Sequence, residues 1–291
     1  MKALILMSAM IFSMNCHADN VLRGELEKVY TVWREAVIGK DARTWQQVTA
    51  EHRRVEVRNR ILSEKLPFPA SVFNLPTPPP SLKGLKFLEA TRNGRTAKVA
   101  YFGEIDFGVG GEPTNNLLVL SFIQGANHFL YDKADFVNLS ALPDVRRELA
   151  AGNLDYLKGV PEAQPSGQVP ETPIAVTPAE TIAKVYVFCP GREVEVMVNK
   201  VSRHRFANAK DAQTIMGGAR LGANEVQYSI RKLEGGTGNE VLTIRVYLIS
   251  LVEGIKPIKV FEYQISENEE FKSFDSGYFA VDEATKAKLA P

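Results

Sequence analysis

The chain has 291 residues, 45% of them hydrophobic and 24% charged, with a formal net charge of +1. That balance lacks the basic excess of a nucleic-acid or anionic-membrane binder. The length exceeds the usual single domain, so two domains are expected.

Lys2 precedes an apolar run over residues 3–14, followed by Cys16-His17-Ala18. A short basic start, an apolar stretch and small residues at a cleavage position mark a signal peptide over residues 1–18, cut after Ala18. The mature chain is then expected to be exported, to the periplasm or the exterior. The run is too short to span a bilayer, and no later stretch is long and apolar enough to do so. Lipid on Cys16 would need a small residue before it, a place held by Asn15. Cys189, the remaining cysteine, lies in the apolar run VYVFCP and is expected to be a buried hydrophobe.

Leu22, Leu26, Val29, Trp33 and Val37 recur at helical spacing, which predicts a helix over 21–38 that ends at Gly39. Asp41 is placed to cap a second helix carrying Trp45 and Val48, and a charged continuation covers 51–64. Residues 67–80 are too proline-rich for helix or central strand. They carry Phe68, Val72, Phe73 and Leu75, so an ordered strap with both phenylalanines buried is expected. Strands over 85–90 and 97–107 flank Asn93-Gly94, a hairpin signal, and strands over 116–123 and 129–137 flank a second turn. A helix over 143–157 closes this half.

The helical join Ile38-Gly39-Lys40-Asp41-Ala42, the meander and the final LYDKADFVNL together resemble the nuclear transport factor 2-like superfamily, over residues 22–139. The resemblance implies a bent antiparallel sheet wrapped around a long helix as a cone, either hollow or filled. It also implies isomerases, dehydratases and plain binding domains as relatives, and a homodimer through the sheet. Trp33, Phe102 and Phe122 are the expected filling.

Residues 159–180 hold Pro161, Pro165, Pro170, Pro173 and Pro178 and few large apolar side chains. Such a segment is expected to be an extended linker between domains at 19–158 and 181–291. Beyond it, short alternating runs over 182–188, 193–201, 225–233, 240–252, 257–265 and 271–279 predict an antiparallel β-sandwich. The expected fold class is therefore an α+β domain, its helices packed in a bent antiparallel sheet, followed by an all-β sandwich.

Chemistry is sparse. His52, His128 and His204 lie far apart and in no ligand-spaced pair, so no metal is expected, and no cofactor motif is present. A pocket in the cone would draw on Glu104 and Asp106 of the second strand with His128 and Tyr131 of the last hairpin. His52 with Arg53 and Arg54, extended by Arg58 and Arg60, would suit an anion, although interleaved glutamates equally describe a solvated helix face. Lys200, Arg203, His204 and Arg205 form a smaller cluster that loop charge explains as well. The expected function is an exported two-domain binding or scaffolding protein without catalysis, its partner a protein or small ligand and not nucleic acid. The alternative is a small-molecule enzyme, isomerase- or dehydratase-like, or a carrier.

Overall fold

Helical spacing of apolar residues builds the first face. The structure, a computed structural model, describes residues 2–105, 114–267 and 269–289, with side chains from Asn20 onward. The side chains of the signal segment, Cys16 included, and Asp106 thus lie outside the described residues. Helix α1 (Lys2–Ile38) buries Leu26, Tyr30 and Val37. Asp41 caps α2 (Ala42–Val48) by accepting from the Arg43 and Thr44 N–H groups at 3.0 and 3.1 Å, and α3 (Glu51–Ser63) follows.

The proline strap differs from expectation. Val72 is buried, Phe68 and Phe73 are half-buried, and Leu75 is 47% exposed. Its end is fastened through backbone: the Tyr30 hydroxyl donates to the Pro80 carbonyl and Arg34 Nε to the Pro79 carbonyl, each at 2.8 Å. A proline lacks an N–H but keeps a carbonyl that must be satisfied.

Strands β1 (Lys86–Asn93), β2 (Thr96–Ile105), β3 (Thr114–Gln124) and β4 (Phe129–Val137) form an antiparallel meander in chain order. Gly94, at φ 51°, supplies the left-handed residue of the first turn. Helices α4 (Pro143–Ala151) and α5 (Asp155–Lys158) come after it. Both faces of the sheet are buried. Val99, Tyr101, Leu120 and Phe122 meet Leu26 and Tyr30 of α1 on one side. Ala100, Phe102, Leu117 and Val119 meet Leu139, Leu149, Leu157 and Val160 on the other.

The remaining strands are β5 (Ile182–Phe188), β6 (Arg192–Val198), β7 (Ser202–Ala207), β8 (Lys210–Thr214), β9 (Gly222–Lys232), β10 (Leu242–Ile249), β11 (Ile258–Ile265) and β12 (Phe274–Val281), with α6 (Glu283–Ala287) last. They make two antiparallel sheets, ordered β11-β10-β5-β8 and β12-β9-β6-β7. Alternate residues such as Val185, Val194, Val226 and Val246 fill one core, which also takes Cys189. Burial pushes the Cys189 thiol pKa up.

The expected fold class is corrected. The chain is mostly β, three four-stranded antiparallel sheets with short helices beyond α1. Of the three residues expected to fill one interior, Trp33 and Phe122 lie on one face of the first sheet and Phe102 on the other. Nor do the early helices form one group. The compact units are Met1–Arg54 with Val72–Pro173, and Val55–Ser71 with Ile174–Pro291, a division that falls inside α3. Buried Asn59 explains why this helix leaves the first unit: its amide donates to the Ile174 carbonyl at 2.8 Å and accepts from the Val176 N–H at 3.0 Å.

The proline-rich segment is fastened in its earlier and its later part, while residues 170–175 are exposed. Its earlier part buries Val160 and Ala163, and the Gly167 N–H donates to Thr96 Oγ1 at 2.9 Å. Its later part buries Val176 and Ala179, and the Ala179 N–H donates to the Leu62 carbonyl at 3.1 Å. Among the described residues no helix is long and apolar enough to cross a membrane.

Candidate functional site

The register of β3 against β4 shifts between Ser121 and Phe122, so that Ser121 faces Lys133 and Phe122 faces Tyr131. Asp132 is the extra residue of this bulge, a device that re-aims a side chain. Its Oδ1 lies 2.8 Å from His52 Nε2, both residues being buried. An ionised carboxylate only accepts, so Nε2–H is the donor. The same junction is locked by backbone: the Ala50 N–H donates to the Tyr131 carbonyl at 2.8 Å, and Thr49 bridges to Tyr131 in parallel.

Tyr131 itself is buried in an aromatic group, its ring centroid 4.0 Å from Trp33, 5.6 Å from Tyr30 and 5.9 Å from Phe122. Burial pushes the Tyr131 phenol well above its ordinary pKa, against the opposing charge of Arg53. His52, Arg53 and Tyr131 are therefore brought together. Glu104 and His128 are not: Glu104 is exposed at the far end of β2, opposite Asn115, while His128 is exposed in the β3–β4 turn. Arg54 has a buried Nε without a partner, and Arg58 donates to the Val176 carbonyl at 2.9 Å. A general base needs a lone pair within reach of substrate. The His52–Asp132 pair, sealed and mutually bonded, acts instead as a strut.

A second line of polar groups went unread in the sequence. Ser202 Oγ lies 2.7 Å from His204 Nε2, and His204 Nδ1 lies 3.1 Å from Gln213 Oε1. Nδ1–H donates to the amide oxygen, which leaves Nε2 to accept from the serine. Burial lowers the His204 pKa, so the ring is held neutral. The order is that of nucleophile, base and orienting group. Yet Ser202 is 1% exposed and also accepts from the Met216 N–H at 2.7 Å, so the line ties β7 to β8 inside the core.

The surface site lies on the outer face of the β12-β9-β6-β7 sheet, where a depression of about 410 Å³ is lined by Glu195, Met197, Arg203, Arg205, Gln227, Ser229 and Phe274. Register aligns these side chains in rows across all four strands. One row runs Phe274, Ser229, Glu195, Arg205, and the next runs Ser276, Gln227, Met197, Arg203. Phe274 is 62% exposed and Tyr278, on the same strand face, 68%. Glu193 bridges Arg231 at 2.5 Å and Arg205 at 2.6 Å, and these two guanidiniums push its pKa down to about 2. Arg203 is exposed and forms no ion pair among the described residues. Period-two alternation of Ser202, His204 and Phe206 with Arg203 and Arg205 was the available signal for β7.

No protein-family model matches the chain, and no curated protein or solved structure matches it.

Proposed function

We propose that this is an exported, two-unit binding protein without catalytic activity. Its second unit takes up a polypeptide segment presenting aromatic side chains and a carboxylate. One observation carries this: the outward face of a half-wet sheet, ordinarily polar, holds exposed Phe274 and Tyr278 at one edge and unpaired Arg203 at the other. Four strands separate these edges by about 14 Å, the reach of a short extended segment. Aromatic and arginine side chains are the usual anchors of such contacts.

Fluorescence anisotropy with labelled random poly(Glu,Tyr) tests the site. The parent chain is expected to bind it, and the double variant Phe274→Ser/Tyr278→Ser to bind about tenfold or more weakly, the effect of losing an aromatic anchor. Equal affinity of parent and variant overturns the proposal. Export is the second part: the mature chain begins at Asp19, and an exported protein whose intact mass retains Met1 refutes that. A homodimer through the first sheet would use the edge strands β1 or β4, since both faces are covered within the unit.

A further inference from the structure

We propose that the second unit holds a separate site for a small amphiphilic carboxylate, of medium-chain fatty-acid chemistry. At the end of the β11-β10-β5-β8 sheet lies a cavity of about 300 Å³, bounded by the start of β5, the end of β10, the following loop, α6 and Lys65. Its walls are apolar: Ile182 and Ile249, paired across β5 and β10, with Val252, Leu289 and Leu251. Leu251 is 66% exposed, a large apolar side chain left at the mouth.

Three polar features converge on this apolar cavity. Lys65 and Lys286 bring two ammonium groups. Lys65 gives one N–H to the Glu180 carbonyl at 3.1 Å, and Lys286 stands 4.0 Å from Glu283, a loose pair. An ammonium carries three donors, so each keeps donors for a ligand. The Glu180 carboxylate, also on the lining, accepts from the Leu221 N–H at 2.8 Å.

The third feature is Thr181. It lines the cavity, is 4% exposed, and its Oγ1 is buried without any hydrogen-bond partner. Its backbone, by contrast, is fully used: its N–H donates to Ala219 at 3.2 Å and its carbonyl accepts from Ala219 at 2.9 Å. Gly218, at φ 64°, permits this approach, since any Cβ there would collide with the Thr181 carbonyl. The hydroxyl is thus fixed in place and unsatisfied, a condition that buried polar groups rarely keep without a partner.

A ligand carboxylate accepts from both ammoniums and from the threonine hydroxyl, while the Glu180 carboxylate is taken up by the Leu221 N–H and the alkyl chain covers Ile182, Ile249 and Leu289. The cavity volume is at the lower end of ligand pockets, which suits a chain of roughly six to ten carbons.

The probe is sodium octanoate, titrated calorimetrically below its micelle concentration into the full mature chain. Saturable binding at one site is expected, with 1-octanol binding at least tenfold more weakly because it brings no charge. Lys65→Met/Lys286→Met should weaken octanoate about tenfold or more, and Thr181→Val by several-fold. Both lysines are surface groups, so circular dichroism should show the fold retained. Phe274→Ser/Tyr278→Ser should leave octanoate binding unchanged, which separates this site from the sheet face. Absent saturation, equal binding of octanol, or unchanged affinity in the double-lysine variant overturns the proposal.

Discussion

His52→Ala lowers the stability of the first unit by about 3 kcal/mol, the upper end of the usual cost of leaving a buried acceptor without its donor. The Asp132 carboxylate, about 10% exposed, loses the Nε2–H donor that stands 2.8 Å away. It cannot recover hydration without undoing the bulge that aims it. Asp132→Asn should cost far less, about 1 kcal/mol, because the amide oxygen still accepts from Nε2–H. Calorimetric melting separates the two, with a fall on the order of 10 °C for His52→Ala and a small one for Asp132→Asn. Were His52→Ala to melt like the parent, the pair would contribute nothing and the strut would be refuted. A catalytic role predicts a different pattern, with stability unchanged and only turnover lost.

The same pair shows where sequence runs out. Asn93-Gly94 announces a hairpin because its physics is local, a left-handed residue between two alternating runs, and β1 and β2 pair around it. His52 and Asp132 are 80 residues apart and meet only because one extra residue interrupts β4. Nothing nearby in the sequence marks that bulge. Strand β7 failed to register for another reason: its outward residues are Arg203 and Arg205, so an edge strand with a charged wet face resembles a loop. The buried line through Ser202, His204 and Gln213 was lost with it. The burial of Val72 rather than Phe68 or Phe73 has the same origin, since composition identifies apolar residues and not the direction they turn. Of the candidate residues, His52, Arg53 and Tyr131 did converge, but on a packed junction. The depression at Phe274 depends on cross-strand register, which no single strand encodes.

The proline-rich segment supplies the other large effect. Its composition predicts a loose join that proteases cut first, yet residues 174–180 are bonded to α3. Asn59, 2% exposed, holds both the Ile174 carbonyl and the Val176 N–H. Arg58 takes the Val176 carbonyl, and the Leu62 carbonyl takes the Ala179 N–H. In the parent chain, limited proteolysis should therefore spare residues 174–180. Asn59→Leu keeps the apolar bulk but leaves a carbonyl and an N–H unpaired, at about 1–3 kcal/mol for each. Those groups regain water when the segment peels from the helix, so the loss appears as local opening rather than global unfolding. Cleavage within residues 174–180 should then become the first event and accelerate by about 10–100-fold, while opening stays fast relative to cutting. Asn59→Asp, which keeps the acceptor for Val176 but loses the donor to Ile174, should fall between. If the Asn59→Leu segment resists protease as the parent does, Asn59 is not its anchor and the Arg58 and Leu62 bonds suffice to hold it.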